Sequence, residues 1–300
     1  MAEHGRETSV SAAPKTTGSA RRSAVRAPKS VAKAAAAAAA SPSAAVLIVA
    51  HNQARRIAAT VRASRAIPGV DLVLVVDDGS LDNTQDLARK AGAVVVRQSH
   101  RRGRATSIET GAAVIAMRDE EGATPRAVLL LEAGLGASAS GAAPIVAAVV
   151  EQVADLAIAL VGGPSRSTGA SAGAARKAIA SLSGWSPMQP LSKVRCLTRE
   201  ALEAAFPLAR GAGLETAVTL DVIEAGLMVT EVPCDLKQRP SRRAGKALTR
   251  ASQYRDVMMA ISARRIRLSL RSTQHVVEDA FHVASRSGTV KVRRGKKGEE

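Results

Sequence analysis

Aromatic side chains are almost missing from this 300-residue chain: Trp185, Tyr254, Phe206 and Phe281 are the only four. Ring platforms for stacking bases or sugars are therefore scarce, which argues against sequence-reading of single-stranded nucleic acid. The core must be built from Ala, Val, Leu and Ile. Cysteine is nearly as rare. Cys196 and Cys234 cannot form a disulfide framework, and such sparse use fits a reducing compartment. Long apolar runs are absent too, since no segment approaches the roughly 20 residues of a membrane helix. The nearest approach to a signal peptide is Lys33, the Ala run to Ala40 and Ser41-Pro42-Ser43, with Arg21-Arg22 upstream. The charged stretch before the Ala run is too long for one. The expected location is cytoplasmic.

Positive charge, by contrast, is abundant: 43 Lys and Arg stand against 26 acids, a formal net of +17. Its distribution matters more than its sum. Residues 1–45 carry seven basic and two acidic side chains, residues 237–300 carry 17 and five, and residues 46–236 carry 19 of each. The surplus therefore sits at the two ends of a neutral middle. Residues 1–43 are Ala, Ser, Thr, Pro, Lys and Arg with almost no large apolar side chain. They cannot bury enough surface to offset chain entropy and are expected to be disordered, as are residues 281–300.

From Ala44 the pattern changes to strands alternating with helices. Val46-Leu47-Ile48-Val49 is an apolar run suited to a strand covered on both faces. A polar break at His51-Asn52-Gln53 leads into an amphipathic helix, Ile57 to Ile67, ended by Pro68-Gly69. The unit repeats: strand 72–76, turn Asp77-Asp78-Gly79-Ser80, and a helix to about Lys90 with Asp82 as its cap. Further strands are predicted at 94–96, 127–131, 156–160 and 229–232. Helices are predicted near 105–118, 142–152, 173–182, 198–206 and 213–226, and a basic helix at 247–270. This alternation predicts an α/β sandwich around a mainly parallel sheet.

Ligands of such sheets bind outside the carboxyl ends of the strands. The polar clusters to examine are therefore His51-Asn52-Gln53, Asp77-Asp78-Gly79-Ser80, Arg101–Arg104 and Glu132-Ala133-Gly134. The runs VLIVAHNQARRI, LVLVVDDGSLDNT and HRRGRATSIETGA resemble the nucleotide-sugar-binding half of glycosyltransferase family 2, which has the GT-A fold. The segment LSKVRCLTREAL resembles a degraded form of the acceptor-side LSGQR motif of actinobacterial-type members. GAGLET and GLMVTEVPCDL also fit, so the resemblance spans roughly residues 44–260. It implies transfer of a sugar from a nucleotide-diphosphate donor, with a polyprenyl phosphate or a small phosphorylated molecule among the acceptors.

The resemblance also implies roles. Asp77 or Asp78 would accept hydrogen bonds from the base or ribose, with Asn52 and Gln53 beside the same nucleoside, although Glu is usual at Gln53. Arg104 stands where Lys is common and would keep a cation near the diphosphate. Glu215 matches an acceptor-side carboxylate that could orient or deprotonate a hydroxyl. Each has a plainer reading: Asp-Asp-Gly-Ser is ordinary turn chemistry, residues 100–104 are a solvated loop, and Glu215 is a first-turn helix acid. Trp185 reads as packing, and His275 and His282 as surface residues.

One departure bears on catalysis. The family ends its fourth strand with Asp-x-Asp, whose second acid holds the Mg²⁺ or Mn²⁺ that neutralises the departing diphosphate. This chain has Glu132-Ala133-Gly134. A Leu-x-His-Arg segment that completes the metal site in relatives here reads Leu236-Lys237-Gln238-Arg239. Mg²⁺ demands near-octahedral oxygen ligands, and Glu132 does not supply them, so no metal site is expected. Two explanations compete: loss of turnover with a nucleotide-binding or scaffold role retained, or replacement of the metal by protein cations. Lys193, Arg104, Lys237 and Arg239 are the candidates for that replacement.

Other classes fare worse. Gly134-Leu135-Gly136 with Gly141 lacks the spacing and position of a dinucleotide loop. The basic ends offer a non-enzymatic alternative, salt-dependent binding of nucleic acid or of an anionic membrane, the latter through the helix carrying Tyr254, Val257, Met258 and Ile261. The expected organisation is a basic tail (1–43), a GT-A-like domain (44–236), a basic helical extension (237–280) and a second tail (281–300).

Overall fold

The structure, a computed structural model, describes residues 43–163, 165–237 and 249–267. The expectations for the two tails, apart from Ser43, and for His275 and His282 fall outside these residues.

Seven strands form one sheet: β1 (Ala44–Ala50), β2 (Val70–Asp77), β3 (Val94–Arg97), β4 (Ala127–Glu132), β5 (Leu156–Val161), β6 (Arg195–Leu197) and β7 (Val229–Cys234). Their order is β3-β2-β1-β4-β6-β5-β7. Neighbours in the block β3-β2-β1-β4 run parallel, as do β5 and β7, and the three-residue β6 lies antiparallel between β4 and β5. The helices are α1 (Ile57–Arg65), α2 (Thr84–Lys90), α3 (Arg104–Ala116), α4 (Ala143–Val150), α5 (Ala170–Ser183), α6 (Arg199–Ala204) and α7 (Leu214–Glu224). A further helix, α8, spans 249–267. None of the described helices is long and apolar enough to cross a membrane.

The all-apolar strands are explained by cores on both faces of the sheet. Val46 and Ile48 of β1 join Val75, Leu129 and Leu131 on one face, under Ile57 and Val61 of α1 and Ile145 of α4. Leu47 joins Leu74, Val76 and Leu130 on the other, under Ile108 and Ile115 of α3 and Val218 of α7. Each fully buried Leu, Ile or Val contributes about 1.5–3 kcal/mol of transfer free energy. Small residues let the layers approach: a Cβ on Gly111 of α3 would lie 2.3 Å from a Leu47 methyl. Trp185 and Phe206 pack against the second core, in keeping with a packing role for Trp185.

The expected helix at 142–152 begins differently. Residues Gly136–Ala142 form a 3₁₀ turn, and α4 follows with Pro144 in its first turn. Proline is tolerated there because that N–H has no intrahelical partner.

Candidate functional site

A cavity of about 1000 Å³ opens over the carboxyl ends of β1, β2 and β4 and the start of β6. Its walls include His51 and Gln53 after β1, Asp78 after β2, Arg101 and Arg104 after β3, and Glu132 to Leu135 after β4. Ser167, Gln189 and the run Leu191 to Lys193 close the far side, while Arg56 enters from the turn before α1. Because β6 is antiparallel, the residues preceding it arrive at the same edge as the carboxyl ends of its neighbours.

The nucleoside-side residues are locked to one another by local bonds. Asn52 adopts a left-handed backbone (φ 52°), which Asn tolerates well among non-glycine residues. Its side-chain oxygen accepts from Leu81 N–H (2.9 Å), and its own N–H donates to Ser80 Oγ (2.9 Å). Gln53 N–H donates to Thr84 Oγ1 (2.8 Å). Asp82 accepts from the N–H groups of Ala54 and Thr84 and from the Thr84 hydroxyl. Partial desolvation pushes its carboxyl upward, but those hydrogen bonds prevail and hold it below the usual carboxylate value.

Asp77 is 1% exposed, and its carboxylate accepts from Ser80 N–H (3.0 Å). It is absent from the cavity wall, as is Asn52. Asp78 does line the cavity, and it accepts from the N–H groups of Arg102 (2.6 Å) and Gly103 (3.1 Å), so the acid shapes the basic loop. Gly79 is required at this joint: its φ is 71°, and a Cβ would lie 2.8 Å from Arg101 N. The Asp-Asp-Gly-Ser turn and the loop 100–104 are thus one packed unit.

On the opposite side, Lys193 Nζ lies 3.2 Å from Glu132 Oε1. Arg104 donates to the Lys193 carbonyl (3.0 Å), and its Nε faces Glu215 Oε1 at 3.4 Å without hydrogen-bond alignment. Glu215 is 4% exposed and lies off the cavity wall, behind Arg104. Lys237 is exposed and off the wall as well, with its N–H on Ser138 Oγ. Arg239 lies outside the described residues.

Two residues gain significance only from the structure. Arg56 donates to the Gly134 carbonyl (2.9 Å) from within the cavity wall. Arg195 is 1% exposed and donates to the carbonyls of Ser192 (2.6 Å), Pro190 (2.7 Å) and Glu215 (2.7 Å). Burial pushes its guanidinium down to about 10, with Glu215 acting in the opposite direction, so it stays charged at neutral pH. Arg195 therefore shapes the loop that presents Lys193. The signal in the sequence is its place at the end of Leu191-Ser192-Lys193-Val194-Arg195, the segment that resembles LSGQR.

A divalent metal fits these residues poorly. Glu132 already faces an ammonium, Gly134 contributes no side chain, and no group of three His, Cys, Asp or Glu residues suited to a metal occurs among the described residues.

Residues 45–115 match the sequence model of Glycosyl transferase family 2. No curated protein matches the chain. Among solved structures, glucosyl-3-phosphoglycerate synthase from Mycobacterium tuberculosis in complex with uridine diphosphate is similar. It is 22% identical, with 78% of this chain and 83% of that one covered, at a TM-score of 0.61. The same enzyme with Mn²⁺, uridine diphosphate and glucosyl-3-phosphoglycerate gives 23%, 78%, 83% and 0.60. Its complex with Mn²⁺, UDP-glucose and phosphoglyceric acid gives 22%, 78%, 83% and 0.58. The fold is the GT-A fold of these glycosyltransferases, and the resemblance to family 2 drawn from the sequence is supported over the nucleotide half.

Proposed function

We propose that the cleft binds a nucleotide-diphosphate sugar and transfers the sugar to an acceptor. The observation that carries this reading is the cavity wall itself. Four cations, Arg56, Arg101, Arg104 and Lys193, face the strand ends, where Asp78 and Glu132 are the acids. Such a wall suits a ligand with concentrated negative charge beside a polar nucleoside. The match over residues 45–115 and the nucleotide complexes of the similar enzyme support the same reading.

In this proposal the Asn52–Gln53 and Asp77–Asp78 turns shape the nucleoside side, with Asp78 and Gln53 in reach of ligand. Arg104 and Lys193 hold the diphosphate. Transfer breaks the bond between the sugar carbon and the terminal phosphate oxygen, whose electron pair leaves with the nucleoside diphosphate. The acceptor hydroxyl oxygen forms the new bond to that carbon, and its proton passes to the departing diphosphate or to solvent. Fixed cations stabilise the charge that develops on the leaving group. A phosphorylated acceptor suits the far wall, by analogy with the phosphoglyceric acid in the similar enzyme. Residues 44–236 would form the transferase unit and 237–280 its basic extension.

A thermal-shift panel of UDP-, GDP- and ADP-sugars, each with and without Mg²⁺ or Mn²⁺, tests the binding half. Stabilisation by one nucleotide series is expected, and indifference to all of them would sink the reading. A second reading, binding without turnover, is favoured by the position of Glu215, which lies behind Arg104 and off the cavity wall. Release of nucleoside diphosphate over time distinguishes the two. The exposed basic face of α8 offers peripheral contact with an anionic membrane, a reading preferred to nucleic acid because stacking aromatics are so few.

A further inference from the structure

We infer that the diphosphate site works without a divalent cation, with the Lys193 ammonium seated on Glu132 in place of a metal and Arg56 as a second fixed cation. This deepens the donor-binding reading and rests on it. Glu132 is the acid at the end of β4. A metal in this corner would need several oxygen ligands around it, and the corner instead brings an ammonium to 3.2 Å from the carboxylate. Lys193 keeps 51% of its side chain in solvent, so the ammonium is open to the cavity. It carries three donors, and the Glu132 contact engages one of them, leaving capacity for phosphate oxygens.

Two further guanidinium groups make this a built arrangement. Arg104 donates to the carbonyl of Lys193 itself and so fixes the backbone from which the ammonium projects. Arg56 donates to the carbonyl of Gly134, two residues beyond Glu132, and brings a second charge to the same corner. A divalent ion entering here would meet positive charge from both sides, whereas a diphosphate would meet donors from both.

Crowding does not explain the missing acid. A Cβ on Gly134 would have Gln53 Oε1, at 3.7 Å, as its nearest neighbour, which is ordinary contact. A side chain could begin there, and the chain uses glycine with cations around it.

Isothermal titration of the full chain with inorganic pyrophosphate, UDP, GDP and ADP, in EDTA and then in MnCl₂, tests the inference. Pyrophosphate and one nucleoside diphosphate are expected to bind in EDTA, with Mn²⁺ changing Kd by less than about threefold. Lys193→Ala should weaken pyrophosphate binding in EDTA by about tenfold, as expected for loss of a charge-assisted bond, with an unchanged melting temperature. Arg56→Lys, which keeps the charge but loses the planar fork, should weaken it less than Arg56→Ala. Binding that appears only with Mn²⁺ overturns the metal-free site and leaves the donor reading standing. Pyrophosphate binding with no response to any nucleotide supports the anion site and overturns the donor reading. No binding in either condition overturns both, and an unchanged Kd in Lys193→Ala removes Lys193 from the site.

Discussion

Arg104 serves three neighbours at once, and its loss should register differently on each. It faces a carboxylate that is almost completely buried, holds the Lys193 carbonyl and lines the cavity. Arg104→Ala would remove one of the two arginines beside Glu215 and leave only Arg195 there. Removing one member of a fully buried pair costs about 3–5 kcal/mol, and because Arg104 retains 24% exposure the expected loss is smaller, about 2 kcal/mol by urea unfolding. Glu215→Gln keeps the shape and should cost about 1 kcal/mol while leaving nucleotide affinity unchanged. A large loss of turnover in Glu215→Gln at unchanged stability would instead restore a catalytic carboxylate. The two thiols make a separate residue-scale test. Burial pushes Cys196 up to about 12 and Cys234 to about 11. Both should resist a thiol reagent at pH 8 until the chain is denatured. Their folded values are raised, so the associated stability is complete below the ordinary thiol value of about 8.5 and falls as pH rises through 11 to 12. Unfolding midpoints measured at pH 8 and pH 10 should show the decline.

At the scale of elements, α8 is fastened to α7 by Arg264 and Arg267 on Asp221, by Val257 and Ile261 packed with Leu220, and by one close approach. Arg264 donates to both oxygens of Asp221 (3.1 and 2.8 Å), and the side chains are 7% and 2% exposed. Gly213 lies where α8 crosses the start of α7, and a Cβ there would be 2.5 Å from Asp256 O. Asp221→Ala should cost about 3–5 kcal/mol, whereas Asp221→Leu with Arg264→Met should come close to neutral. Chemical denaturation of the two variants separates the pair's fastening role from mere burial. Equal losses in both would show that the charges contribute more than their packing. Much of this architecture is readable from periodicity, because the strands are buried on both faces and appear as unbroken apolar runs. The turns are equally legible where Asp, Gly and Ser have local bonds to make, as at Asp77 to Ser80. What escapes is set by contacts distant in sequence. Strand β6 has three residues, too few for a period, and its antiparallel entry is what brings Lys193 to Glu132. Arg56 reads as one of two adjacent surface arginines until Gly134 is placed beside it. Arg195 reads as a charged motif residue, yet the carbonyls of its own loop and of α7 account for its burial.

For the whole molecule, the consequence of the basic ends depends on where along them the charge lies. Residues 237–267 carry ten cations against the single acid Asp256, a larger surplus than that of residues 1–42 or of residues 268–300. Within that stretch Arg250, Arg255 and Arg265 of α8 are exposed, and Met259 (66%) and Ile266 (60%) stand exposed on the same helix. Charge and apolar surface therefore adjoin on the folded body. A chain trimmed to residues 43–267 should keep most of its binding to vesicles rich in anionic lipid, with affinity falling as salt rises toward the regime where the Debye length is about 8 Å. Replacing Arg250, Arg255 and Arg265 together by Glu should abolish vesicle binding. It should leave pyrophosphate affinity unchanged, because none of the three lines the cavity. Vesicle co-sedimentation and pyrophosphate titration on the same preparations provide both readings. If the trimmed chain no longer binds vesicles while the charge-reversed full chain still does, the outer tails hold the membrane contact. In that case the basic face of α8 is only a solvated surface. If both variants behave as expected, the cleft and the basic helix are independent anion sites on one body, one for a diphosphate and one for a lipid surface.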